Sequence, residues 1–167
     1  MGNQPVRDPA TDHLLTPQNS TLIIIDYQPV QVTSVASMDR RALVTNIVSV
    51  AKLAALFEIP VVLSTVNVKS GKNAPTIHQL QEILKSVETF DRTTINAWED
   101  EQFLNAVKKT GRKKLIMTAL WTEACLARRK SLKEATHFGA TEPRRAHAPM
   151  GATRTIEIYD RIWLTED

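Results

Sequence analysis

The sequence predicts an α/β fold of three layers, in which helices cover both faces of a mostly parallel sheet. Short, continuous apolar runs are typical of strands buried on both faces. Between these runs, apolar residues recur every three or four positions, as in amphipathic helices that alternate with strands. The length of 167 residues suits one domain. We therefore expect a single domain over residues 1–167, with an N-terminal arm (1–13) and a divergent tail (126–167).

The first elements follow from this pattern. Residues 21–26 form an apolar run that ends at Asp26, and residues 60–66 form a second run rich in β-branched residues. Both runs predict strands. Residues 39–57 predict a helix, because their apolar residues fall on one face: Leu43, Ile47, Val50, Ala54 and Phe57.

The alternation continues in the following segments. Residues 67–75 predict a loop, and Thr76 is expected to cap a short helix that ends near residue 85. After an extended piece at 87–90, a helix over about 99–110 is indicated by acids in its first turn, lysines in its last turn and Gly111 behind it. Residues 114–119 predict the next strand.

Chemically capable side chains follow three of the predicted strands. Asp26 ends the first strand, Arg92 follows the extended piece, and Cys125 follows the strand at 114–119. In parallel sheets, ligands bind at the carboxyl ends of the strands. The three side chains could therefore meet at one edge of the sheet, although spacing alone does not prove that they do.

Three segments together resemble the isochorismatase-like hydrolase family, and the resemblance covers about residues 14–127. They are Leu22-Ile-Ile-Ile-Asp-Tyr-Gln28, Arg92-Thr-Thr-Ile-Asn-Ala-Trp98 and Leu115-Ile-Met-Thr-Ala-Leu-Trp-Thr-Glu-Ala-Cys125. The resemblance implies the isochorismatase-like fold and a hydrolase that attacks a small carbonyl or amide substrate through a thioester. It also implies that Cys125 is the nucleophile, Asp26 its base, and Arg92 the third member, at a position where many members carry lysine.

The implied chemistry is physically sound. A thiol with an ordinary pKa of about 8.5 is mostly protonated at neutral pH, and a helix N-terminus or a nearby guanidinium favours the thiolate. Asp26 can accept the thiol proton and return it to the leaving group. Arginine does not exchange protons, so Arg92 suits an electrostatic and orienting role. The alternative for Cys125 is a small buried apolar residue.

Further residues are candidates for the substrate pocket. The resemblance assigns the oxyanion hole to backbone N–H groups near Trp121 and Cys125. Trp98 and Trp121 are candidate pocket walls, with plain core packing as the alternative. Gln28 and Asn96 are candidate substrate-binding residues, with a turn or capping role as the alternative.

We predict no metal and no cofactor. Nicotinamidase-like relatives carry Asp-x-His after the second strand, whereas this chain has Ser64-Thr-Val-Asn-Val-Lys69 there. The four histidines are dispersed without ligand spacing. This departure argues against a nicotinamidase.

Composition limits the partners. The net charge of +3 is too small to indicate nucleic-acid binding, and the basic residues between 128 and 145 are expected to form a solvated face. No apolar run approaches the length that spans a bilayer, and residues 1–20 do not resemble a signal peptide. A cytoplasmic protein without membrane or nucleic-acid partners is expected. The lone cysteine rules out an internal disulfide.

The tail departs from the resemblance. Residues 126–167 contain no Val, Asn or Gln, which are frequent before them. Only residues 155–164 show strand-like alternation. A tail of different origin and a divergent but functional end both remain open. The resemblance implies association, and the altered tail is expected to leave apolar surface at a sheet edge. We therefore expect a homo-oligomer, unless the apolar residues of 155–164 fill the gap.

Three functional hypotheses follow. The first is an active cysteine hydrolase that acts on a small-molecule substrate. The second is a catalytically impaired family remnant that serves as a binding or assembly module. The third, a thiol redox or sensing protein, ranks last because the chain has no second cysteine to resolve an oxidised one.

Overall fold

The computed structural model describes residues 15–120 and the backbone of residues 157–159. Within these ranges it contains five strands, four α-helices and one short 3₁₀ helix. In chain order they are β1 (Ser20–Ile25), α1 (Pro29–Ser34), α2 (Arg40–Leu56), β2 (Val61–Val66), α3 (His78–Ile83), β3 (Thr89–Arg92), the 3₁₀ helix (Ala97–Glu99), α4 (Glu101–Lys109), β4 (Lys114–Ala119) and β5 (Glu157–Tyr159).

The strands form one sheet in the order β3-β2-β1-β4-β5. The first four of these strands are parallel to one another, which confirms the predicted mostly parallel sheet. In the central strand β1, Ile25 lies opposite Ser64 of β2 and Ala119 of β4. The carboxyl ends of β1, β2 and β4 therefore meet at one edge of the sheet.

The fifth strand comes from the tail. It pairs antiparallel with β4, with Ile158 opposite Ile116. It lies within residues 155–164, where the sequence showed strand-like alternation. The backbone of the tail thus supplies a neighbour for the edge of β4.

Helices cover both faces of the sheet, as predicted. Alternate residues of β1 point to opposite sides. On one side Leu22 and Ile24 join a core with α2 and α3, and on the other Ile23 and Ile25 pack with α4. All four of these side chains are fully buried. This two-sided burial explains why β1 is a continuous apolar run rather than an alternating one.

Three local expectations need correction. Thr76 does not cap α3; its hydroxyl donates to the backbone oxygen of Tyr27, and Ile77 occupies the N-cap without a side-chain bond. The helix expected over about 99–110 is present as α4, but it begins only at Glu101, because Asp100 is extended and caps it through the N–H of Phe103. The short helix α1 was not predicted, since its six residues cover fewer than two helical turns.

Candidate active site

Asp26 and Arg92 form a buried ion pair at the carboxyl edge of the sheet. The Nη1 and Nη2 groups of Arg92 donate to Oδ1 and Oδ2 of Asp26, each over 2.6 Å. Both residues are 2% exposed. Such a two-pronged pair fixes orientation as well as charge. Two of the three predicted catalytic side chains are thus in contact, although 66 positions separate them.

The sheet topology brings the two residues together. Asp26 follows β1 and Arg92 ends β3, so β2 lies between them. Asp26 has a left-handed backbone (φ 59°), and its N–H donates to the oxygen of Ser64 in β2 over 3.1 Å. The backbone oxygen of Arg92 accepts from the N–H of Asn67 over 2.8 Å. The long arginine side chain reaches across β2 to the carboxylate.

The guanidinium has further acceptors. Nη1 also donates to the Ser64 hydroxyl at 3.0 Å and to the backbone oxygen of Thr65 at 3.1 Å, and Nη2 donates to the backbone oxygen of Ile95 at 3.0 Å. The buried Nε–H of Arg92 has no hydrogen-bond partner within the described part of the chain. Among residues 15–120, this N–H is the one donor of the Arg92 guanidinium without an acceptor, and a buried donor left unpaired is unfavourable by about 1–3 kcal/mol.

Cys125 and Trp121 lie outside the described residues. The chain leaves β4 at Ala119, beside Ile25 in the sheet register, and the last described residue of this stretch, Leu120, is buried. In the sequence, Trp121 and Cys125 come two and six positions after the end of β4. Their catalytic and oxyanion roles stay predictions.

Gln28 is fully buried, and its amide group is bonded to the loop after β2. Its Nε2 donates to the backbone oxygens of Val66 (3.1 Å) and Ala74 (2.6 Å), and its Oε1 accepts from the N–H of Val66 at 3.0 Å. These bonds hold both ends of the loop. Gln28 therefore fixes the loop beside the ion pair, and its substrate-binding role stays a prediction.

Asn96 and Trp98 lie in the segment that follows Arg92. Asn96 caps the 3₁₀ helix: its Oδ1 accepts from the N–H of Trp98, and its Nδ2 donates to Glu99, each over 3.2 Å. The Trp98 ring meets Phe103 edge-on, with centroids 5.4 Å apart, and packs against the α4 side of the core. These contacts match the capping and core alternatives, and the substrate-binding roles of Asn96 and Trp98 stay predictions.

Two polar residues of this region were missed by the sequence analysis. Ser64 contacts both Asp26 and Arg92. The Asp91 carboxylate accepts from the N–H groups of Val68 and Lys69 and from the hydroxyl of Thr65. Partial burial raises the pKa of Asp91, but these hydrogen bonds outweigh it and hold the pKa below its ordinary value. For Asp91, the available signal in the sequence was a carboxylate at the end of an extended segment; Ser64 gave none.

Neither a metal centre nor a membrane span is found in residues 15–120. There, no group of three or more His, Cys, Asp or Glu side chains could hold a metal ion. The helices of the same residues are too short or too polar to cross a bilayer.

The chain is similar in sequence to known proteins of one family. The isochorismatase domain family model matches residues 20–140. "Probable hydrolase YcaC" of Escherichia coli K12 is 30% identical over 114 residues, which are 68% of this chain and 54% of that protein. The chain thus spans about half the length of this curated relative.

Three solved structures have a similar fold. YcaC of Pseudomonas aeruginosa, solved with hexane-2,5-diol and covalent acrylamide, is 28% identical with a TM-score of 0.66, over 74% of this chain and 60% of that one. YcaC of E. coli, described as an octameric hydrolase of unknown specificity, is 27% identical with a TM-score of 0.65, over 80% and 63%. The MAR1 ribonuclease of Caenorhabditis elegans, at 19% identity and a TM-score of 0.57 over 74% and 58%, shares the fold.

Proposed function

The chain belongs to the isochorismatase family, and on that premise we propose that it is a cysteine hydrolase that acts on a small carbonyl or amide compound. In this proposal Cys125 is the nucleophile, Asp26 its base and Arg92 the fixed cation. The buried two-pronged pair of Asp26 and Arg92, beside the strand that leads to Cys125, carries the proposal.

Each residue has a defined part in the reaction. The Cys125 thiol gives its proton to Asp26, because a carboxylate oxygen can accept more than one hydrogen bond. The thiolate attacks the carbonyl carbon, and the backbone N–H groups near Trp121 and Cys125 bind the oxyanion. Asp26 then protonates the leaving group, which departs as the thioester forms. A water molecule, deprotonated by Asp26, hydrolyses the thioester and frees the thiol.

Arg92 acts without gaining or losing a proton. Its Nη groups hold the carboxylate in one orientation, and its remaining Nε–H is open to the thiolate or to an oxygen of the substrate. Asn96 and Trp98 follow Arg92 closely and are proposed as pocket residues. Gln28 would act by fixing the loop that borders the site.

The acrylamide that is covalently bound in YcaC of P. aeruginosa supports a thiol nucleophile. Acrylamide is an electrophile that thiolates add to readily, and it carries an amide group like the proposed substrates. A reducing, cytoplasmic compartment, which we also propose, would keep Cys125 in the thiol form.

The test begins with a panel of amides, esters and isochorismate, each followed for hydrolysis. With a compound that the wild type turns over, Cys125→Ala should abolish turnover, and Asp26→Asn should lower kcat by about 100-fold or more, the order of general-base effects. Thr21→Val, far from the carboxyl edge, is the control and should keep full activity.

Two outcomes would contradict the proposal. Unchanged turnover by Cys125→Ala would show that another group attacks the substrate. A folded wild type that neither turns over any compound nor forms a thioester detectable by mass spectrometry would instead favour the binding or assembly module.

We also propose that the chain forms a homo-oligomer. The E. coli relative is octameric. In this chain Leu53, Leu56 and Phe57, at the end of α2, are 52%, 72% and 53% exposed. Neighbouring exposed apolar side chains of this size are typical of surfaces that another subunit covers.

A further inference from the structure

We propose that Ser64 is a positioning residue that sets the geometry of the pair of Asp26 and Arg92. The inference rests on the proposed function, because it assigns Ser64 an effect on the reactivity of Cys125. Ser64 lies in β2, between the strands that carry the two charged residues. It contacts both of them through different atoms.

The two contacts are complementary. The backbone oxygen of Ser64 accepts from the N–H of Asp26 over 3.1 Å, which holds the left-handed turn that directs the carboxylate. The Ser64 hydroxyl oxygen accepts from Nη1 of Arg92 over 3.0 Å. One residue of β2, which has a neighbouring strand on each side, thereby holds the backbone of the anion and the side chain of the cation.

The hydroxyl has a fixed orientation. Its proton is donated to the backbone oxygen of Phe90 over 3.1 Å, so a lone pair faces the guanidinium. Ser64 is fully buried, so bulk water cannot replace the hydroxyl. Alanine at this position would remove one of the five acceptors that hold the Nη groups of Arg92, so the guanidinium, and with it the Nε–H, would be less firmly oriented.

Cysteine alkylation tests this inference, because Cys125 is the only cysteine of the chain. The chain of 167 residues is treated with acrylamide at pH 7, and the rate of modification is measured by mass spectrometry. The thiolate absorbance of the unmodified protein is recorded in parallel. The variants are Ser64→Ala and Ser64→Thr. Thr21→Val is the matched control, since it removes another buried hydroxyl that donates to a backbone oxygen, at the far end of β1.

Ser64→Ala should lower the alkylation rate and the thiolate signal by about tenfold, the order expected for one hydrogen bond to a charged group. Ser64→Thr keeps the hydroxyl and should stay within about twofold of the wild type. Thr21→Val should also stay within about twofold of the wild-type rate, although it loses a buried hydrogen bond.

Three results would overturn the inference, and they differ in what else they reject. If Ser64→Ala is alkylated as fast as the wild type, Ser64 has no positioning role while the proposed function stands. If Thr21→Val is slowed as much as Ser64→Ala, the effect is general destabilisation. If wild-type Cys125 reacts no faster than a cysteine in an unstructured peptide, the proposed function fails together with the role of Ser64.

Discussion

The buried ion pair should be much more important for stability than an exposed pair of the same chain. Arg92→Met removes the cation and leaves the Asp26 carboxylate, which is 2% exposed, without its partner. Breaking a buried pair in this way destabilises proteins by about 3–5 kcal/mol. With an m-value of about 2 kcal/mol per molar urea, we expect the unfolding midpoint to fall by roughly 2 M.

The chain offers a matched control in the pair of Lys85 and Glu82. Its charged atoms are 2.8 Å apart, but the side chains are 70% and 52% exposed. Exposed pairs contribute about 0–1 kcal/mol because water and salt screen them. Lys85→Met should therefore move the urea midpoint by less than about 0.5 M.

A double variant distinguishes the loss of stability caused by breaking the ion pair from the loss caused by changing the side chain of residue 92. Asp26→Asn removes the charge that Arg92→Met leaves unpaired, so the two changes together should destabilise less than the sum of the single changes. Urea unfolding followed by circular dichroism measures the wild type, Arg92→Met, Asp26→Asn, their double variant and Lys85→Met. A midpoint of Arg92→Met close to that of Lys85→Met, or strict additivity in the double variant, would refute the burial and pairing described above.

Three other outcomes are expected. Because hydrogen bonds lower the pKa of Asp91, Asp91→Asn should be less stable than the wild type at pH 7. This difference in the free energy of unfolding should disappear as the pH falls below about 4 and through the folded pKa of Asp91. A difference that does not change with pH in urea unfolding would contradict this. Burial raises the pKa of Tyr27, so the wild type should lose stability as the pH rises above about 10, whereas Tyr27→Phe should not. Thermal melts in which the Tm of both proteins falls equally over this pH range would contradict this. Self-association should make Tm rise with protein concentration, whereas a light-scattering mass of 18.7 kDa at micromolar concentration would refute the oligomer.

Sequence reasoning located the charged pair because Asp26 follows a recognisable strand and Arg92 lies at the end of another extended segment. The continuous run before Asp26 predicted a strand buried on both faces, and β1 is buried in this way. The parallel order then placed Asp26 and Arg92 at one edge of the sheet. Their actual contact depends on the reach of one side chain across β2, which no periodicity encodes.

The wrong prediction for Thr76 and the missed role of Ser64 both come from hydrogen bonds between residues far apart in the sequence. Thr76 satisfies the usual pattern of a helix cap, but the backbone oxygen of Tyr27, 49 residues away in sequence, competes for its hydroxyl. Ser64 gave no signal, since one hydroxyl within an apolar strand is equally compatible with a simple bond to a neighbouring strand. Non-local hydrogen bonds decide both positions, and a single sequence does not reveal them.

The set of acceptors around residue 92 explains an arginine where many members of the family carry lysine. Five oxygens surround the Nη groups: two from Asp26, one each from Ser64, Thr65 and Ile95. A lysine ammonium has three donors on a single nitrogen and could not satisfy this spread, whereas the planar guanidinium can. Because arginine keeps its charge throughout, the catalytic proton in the proposed reaction would pass only between Asp26, Cys125, the leaving group and water.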